Sequence, residues 1–255
     1  MKKLLLLFSM VVFALSSAQY DNINAGESLT YRIHYGFLTA GSATLTTSNA
    51  TLNNKPYFYV KGVGQTSGAV KAFFKVNDVY ESYINLYGQP YFYVRNVAEG
   101  SYRQHLQSTF NHVNQTVYLV DKKNTDRPAK TINTAKGVQD MLSSFYYLRN
   151  LDDDQLKVGN VIKMNVWIDD EMFPFQLRIA GTENVSTKFG KINCLKIIPS
   201  VMSGRVFKEK EGVTLWVSND KNRVPILIKA ELTVGAIKAS IDKIAGTKYP
   251  VNFQK

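Results

Sequence analysis

The chain has 255 residues, a formal net charge of +11, one cysteine and three histidines. About 45% of it is apolar, which suits a folded globular protein rather than a disordered one. A single cysteine excludes an internal disulfide, a cysteine-rich zinc site and a cysteine-ligated iron–sulfur cluster, and the scattered histidines leave little for a histidine-rich metal site.

In chain order, Met1-Lys2-Lys3 is a short basic lead, residues 4–15 form an apolar run broken only by Ser9, and Ser16-Ser17-Ala18 offers a small-residue cleavage site before Gln19. This is the layout of a secretory signal peptide, and the run is shorter than the ~20 residues of a spanning helix. Residues 1–18 are expected to be removed, leaving 19–255 as a single β-rich domain. Cys194 lies far from that site, so the protein is not expected to be a lipoprotein. The expected location is the periplasm of a Gram-negative cell, soluble or peripheral to a membrane. Basic residues are in excess both before and after residue 150, with no basic block. That pattern reads as a solvated cationic surface and argues against a nucleic-acid partner.

Beyond the leader, period-2 alternation dominates. It runs through 29–37 and 101–110. Hairpins are expected at 161–179, turning at Asp169-Asp170-Glu171, and at 213–234, turning at Asn219-Asp220-Lys221-Asn222. Further strands are expected near 41–48, 56–62, 79–86, 90–97, 115–121, 183–187 and 191–199. The cadence is that of a mainly β fold, an antiparallel barrel or strongly curved sheet. One segment differs. From Val138, the apolar residues Met141, Leu142, Phe145, Leu148 and Leu151 fall at helical spacing, so one main helix is expected over 138–151. It sits mid-chain, where it would join two β halves. A shorter helix or turn is expected at 67–74.

Chemical motifs are absent. No phosphate-binding glycine loop, G-x-S-x-G elbow or H-E-x-x-H helix occurs, so no cofactor, metal or catalytic residue is assigned and the protein is expected not to be an enzyme. His34 and His105 lie on the polar parity of strands, and His112 lies near a turn. Asp152–Asp154 and Asp169–Glu171 read as solvated turns. Cys194 reads as a buried, inert thiol without a disulfide-linked partner.

A parity conflict stands out. Trp216 faces away from the aliphatics Val213, Leu215 and Val217, and Trp167 faces away from Val166 and Ile168. Both faces of these strands must then be covered, either by protein alone or with one face lining a ligand cavity. Trp167 and Trp216 are the candidate contacts for an apolar ligand. Arg205 is the candidate partner for its head group, because a guanidinium fork matches carboxylates and phosphates.

Several longer stretches, among them 26–41, 140–149, Lys188–Lys191 with Cys194, and 204–207 followed by 216–220 and 223–225, resemble the exported bacterial family called domain of unknown function 3108, common in Bacteroidetes. The resemblance spans essentially the whole chain beyond the leader. It implies export, a β-rich fold and an envelope role, and it carries no catalytic residue. The fold it implies also looks like the half-barrel of periplasmic lipoprotein carriers, by analogy alone. The expected function is a non-enzymatic envelope protein binding a lipid or other amphiphile. The alternatives are an envelope protein that acts through a protein partner without a ligand cavity, an envelope hydrolase, and an integral outer-membrane barrel.

Overall fold

The computed structural model of the protein describes Tyr20, residues 22–201 and residues 212–254. The expected leader at 1–18 and the candidate Arg205 lie outside the described residues. In chain order the elements are β1 (Ser28–Tyr35), β2 (Leu38–Leu52), β3 (Lys55–Thr66), α1 (Gly68–Phe73), β4 (Asn77–Asn85), β5 (Pro90–Glu99), β6 (Tyr102–Asn111), β7 (Thr116–Asp121), β8 (Lys130–Asn133), β9 (Gln139–Asp140), α2 (Ser143–Arg149), β10 (Val161–Ile168), β11 (Glu171–Thr187), β12 (Gly190–Val201), β13 (Val213–Ser218), β14 (Pro225–Glu231) and β15 (Ala236–Ala245).

Among the described residues, all 15 strands join one sheet. β1 sits near its middle, paired with β2 on one side and β15 on the other. From there the strands run out in sequence to β8, and back in reverse sequence to β9. Among the described residues, every strand pairing is antiparallel except β9 with β10. Turn chemistry supports this meander. Asn53 and Asn54, between β2 and β3, both take positive φ (50° and 59°), as a tight hairpin matched to strand twist requires. Asp169 turns the β10–β11 hairpin at φ 57°.

Among the described residues, no ladder closes the sheet. It rolls until its β9–β10 edge rests on the inner face of β4–β6. Ser82, Tyr93 and Ser108 are cross-strand neighbours there, and all are buried. The register pair Asp140 and Trp167 docks on that row. The Ser82 hydroxyl donates to Asp140 Oδ2 at 2.6 Å, and the Trp167 indole donates to Ser108 Oγ at 3.0 Å. Arg95 and Asp169 add an ion pair at 2.9 Å. Small serines leave room for a whole indole, so side chains make the seam that backbone pairing does not. Bulges, as between Thr30 and Tyr31 and between Trp216 and Val217, add local twist toward that curvature.

The mainly β, curved-sheet expectation holds, with differences of detail. The helix expected over 138–151 is only Ser143–Arg149, because Gln139 and Asp140 instead pair as β9 with Val166 and Trp167. The separate strands expected at 172–179 and 183–187 are one long strand, β11, bulged between Ile179 and Gly181. The alternation marks no strand over 236–245, where β15 lies, because lysines and alanines blur it there. Among the described residues, no helix is long and apolar enough to cross a membrane.

Candidate functional site: an apolar cleft around the inner helix

Helix α2 lies inside the roll and is held at both ends. At its start, Asp140 Oδ1 accepts the N–H groups of Leu142 and Ser143 at 2.8 and 2.7 Å, and Ser143 Oγ accepts the Asp140 N–H at 2.8 Å. These bonds satisfy donors that a helix start leaves unpaired. Midway, the Tyr146 hydroxyl bonds Thr47 Oγ1 in β2 at 2.7 Å. At its end, Arg149 forms a two-pronged ion pair with Glu27 at 2.6 and 2.7 Å, both side chains almost wholly buried, and donates Nε–H to the Asn222 carbonyl. Arg223 donates to the terminal carbonyls of Arg149 and Leu151, and pairs with Asp153.

The end of the roll that carries the β1–β2 turn is termed the upper end. Arg149, Glu27 and the β13–β14 turn plug the lower end. Between α2 and the upper half of the sheet, two adjoining cavities remain. One, of about 240 Å³, is lined by Tyr31, Ala43, Gly62, Gly64, Leu142 and Ala239, among others. The other, of about 380 Å³, is lined by Met164, Val166, Phe175, Leu177, Pro199 and Leu215, among others. Met141, just before α2, Phe145 of α2 and Ile228 of β14 line both. No charged residue lines either cavity among the described residues. Two glycines shape the first. A Cβ on Gly62 would stand 3.3 Å from Leu142 Cδ2, so that glycine lets the helix approach the sheet. A Cβ on Gly64 would meet nothing within 4 Å, because it would point into the cavity.

The family model for proteins of unknown function termed DUF3108 matches residues 30–242. The chain belongs to the DUF3108 family. No curated protein matches it. Among solved structures, it is similar to a beta-barrel-like protein of domain of unknown function DUF1849 from Brucella abortus. The TM-score is 0.59 at 6% identity, covering 88% of this chain and 99% of that one. A putative lipoprotein from Parabacteroides distasonis also aligns, with a TM-score of 0.37 at 11% identity, covering 89% of this chain and 98% of that one. The first likeness shows a shared barrel-like fold.

In this DUF3108 protein the cleft uses the aliphatic stripes, and the tryptophans face elsewhere. Met164, Val166 and Ile168 of β10 and Val213 and Leu215 of β13 point into the larger cavity. Trp167, on the opposite face, is fully buried in the seam, in the same apolar cluster as Val60, Ile84 and Tyr93. Trp216 lies among Leu29, Ile192 and Cys194, with its indole donating to Glu183 at 3.0 Å and the Lys196 ammonium over its ring. Neither tryptophan lines the cleft. Both faces are indeed covered, but the ligand-sized space is on the aliphatic side. Met141 and Phe145 were readable only as core residues, because helical spacing marks a buried face without telling whether that face is fully packed.

Other reactive groups are dispersed or paired. His112 Nε2 bonds the Pro90 carbonyl at 2.7 Å, and burial pushes the Cys194 thiol up to about 12. Glu99 is raised by burial and by the Asp78 carboxylate beside it, with Arg95 opposing. No group of three metal-ligating side chains occurs among the described residues.

Asp140 predicts a pH response. Burial pushes its carboxyl up from 3.8 to about 6, against the pull of Ser82, Ser143 and Leu142. The folded protein therefore keeps a proton that the unfolded chain has already released between those values. Stability from this group is complete at about pH 4 and below, and is lost as pH rises through about 6. Asp140→Asn retains an oxygen for both helix N–H groups and removes the charge. It is expected to flatten the decline, gaining about 2–3 kcal/mol over the native chain between about pH 4 and pH 8. Urea midpoints of both proteins across that range provide the check; parallel curves would disprove it.

Proposed function

We propose that this protein is a non-enzymatic component of the bacterial cell envelope that holds an apolar or amphipathic ligand, such as a lipid, in the cleft around Phe145. The observation that carries the reading is the pair of adjoining cavities, walled by aliphatic and aromatic side chains. The larger alone falls within the roughly 300–1,000 Å³ typical of small-molecule sites. Such a lining suits methylene chains, which lose hydration on entry and meet no unpaired polar group. The layout of residues 1–18 as a signal peptide supports an envelope location.

The test is mass spectrometry of an organic extract from protein purified without detergent. Native protein is expected to carry a stoichiometric amphiphile. Gly64→Leu fills the smaller cavity and is expected to lose most of that load. It should hold or raise stability by about 0.5–1 kcal/mol, since a strand glycine is replaced where space exists. A clean extract from folded native protein would sink the carrier reading and favour a protein that works through its surface.

A further inference from the structure

The upper end of the roll thrusts apolar side chains into water. The β1–β2 turn presents Phe37, 94% exposed, with Leu38 beside it; α1 presents Phe73, 90% exposed; the β14–β15 turn presents Val234, 73% exposed. Strand pairing brings the three together. Tyr35 pairs with both Leu38 and Ile237, and its hydroxyl donates to the Val234 carbonyl. The Ser67 N–H, just before α1, donates to the Ala40 carbonyl in β2. Helix α1 reads Gly-Ala-Val-Lys-Ala-Phe, and none of its residues is buried. Single exposed apolar residues are ordinary on any surface, but a cluster on neighbouring loops marks an interaction site.

These three segments carry charge of one sign, although Glu99 of β5 lies opposite Val76 across a β-bridge. Lys71, Lys75 and Lys238 are exposed within it, and residues 32–40, 67–76 and 232–240 contain no aspartate or glutamate. Just outside, Glu231 is paired with Lys229. Apolar tips on short turns with lysines behind them match a layer that is anionic outside and apolar within.

We propose that the upper end docks on anionic lipid bilayers. Phe37, Phe73 and Val234 enter the acyl boundary while Lys71, Lys75 and Lys238 meet phospholipid head groups. The inference stands on exposure and charge, and does not depend on what occupies the cleft. Docking would bring the membrane to the end of the roll where the cavities lie. Their walls come mostly from the upper halves of the strands: Ala43 near the start of β2, Gly64 near the end of β3, and Val213 at the start of β13.

Co-sedimentation with vesicles tests this, using phosphatidylcholine alone and phosphatidylcholine mixed with phosphatidylglycerol. Native protein is expected to pellet with the mixed vesicles, less so as salt rises. Phe37→Ser with Phe73→Ser is expected to weaken that binding by roughly tenfold or more, because each ring forfeits its apolar transfer. Both side chains are exposed, so the fold is expected to persist, and circular dichroism checks it. Lys71→Gln, Lys75→Gln and Lys238→Gln together should remove the preference for the anionic vesicle. Gly64→Leu should still bind vesicles, which separates docking from cleft occupancy. The proposal is overturned if native protein stays in the supernatant with both vesicles, or if the double phenylalanine variant pellets as well as the native chain. It is equally overturned if sedimentation velocity without vesicles shows a dimer that the double variant abolishes, since the face would then belong to a second copy.

Discussion

Arg149→Met, with Glu27 left in place, is expected to destabilise the protein by about 3–5 kcal/mol. The pair is almost fully removed from water, and the two prongs at 2.6 and 2.7 Å set each charge against its opposite at that depth. Removing the guanidinium strands a buried carboxylate, frees the Asn222 carbonyl, and takes away the cation seated 5.1 Å over the Tyr146 ring. Much of that cost is the unpaired charge rather than the worth of the pair. Glu27→Leu combined with Arg149→Met should therefore recover most of the loss, since apolar replacements of similar volume satisfy a dry site. Urea unfolding of the two single variants and the double variant closes the cycle. Single-variant losses below about 1 kcal/mol would show that the pair is as weak as a solvated one. The consequence is structural as well as energetic: Glu27 lies 122 residues from Arg149, and this bond anchors the lower end of α2 to the start of β1, near the middle of the sheet.

Trp167→Ala should open the seam. The indole is fully buried and is the widest side chain between β10 and β4–β6. Its loss is expected to cost about 3–5 kcal/mol, combining lost transfer energy with the cavity left behind. Ser108 would also lose its donor. Trp167→Phe keeps most of the ring and should cost clearly less. Hydrogen exchange distinguishes seam opening from uniform weakening. Protection should fall first in β9, β10 and α2, while β1, β2 and β15 at the middle of the sheet hold. Equal loss of protection everywhere would mean that the seam and sheet unfold as one unit. A cost under about 1 kcal/mol would mean that the roll is held elsewhere.

The sheet's two contested elements show how far alternation reaches. In β10 the sequence marks Ile162, Met164 and Val166 as one stripe and Trp167 as its opposite, and all four are buried. Period 2 separates faces, but it does not say which partner covers each. Here α2 and the cleft face the stripe, and β4–β6 face the tryptophan. The helix was legible as a periodic segment from Val138 onward. Its true start was not, because Asp140 is drawn into a parallel bridge with Trp167 and a bond to Ser82, 58 residues away. The exposed Phe37 and Phe73 carried no mark in the sequence, since a phenylalanine at a turn and one in a short helix read equally well as core.

What the amino-acid sequence determined by itself is local. It specified a mainly β chain, the hairpin turns at Asp169–Glu171 and Asn219–Asn222, the odd helix in mid-chain, and the family whose motifs it carries. Those properties depend on residues within a few positions of one another, where backbone preference and side-chain period act directly. The roll, the seam, the buried Glu27–Arg149 pair, the apolar cleft and the phenylalanine-tipped end were decided only in three dimensions. Each depends on how far the sheet curves before its edge meets β4–β6. That curvature is the summed effect of strand twist, scattered bulges and contacts between residues 58 to 122 positions apart, none of which leaves a periodic trace along the chain.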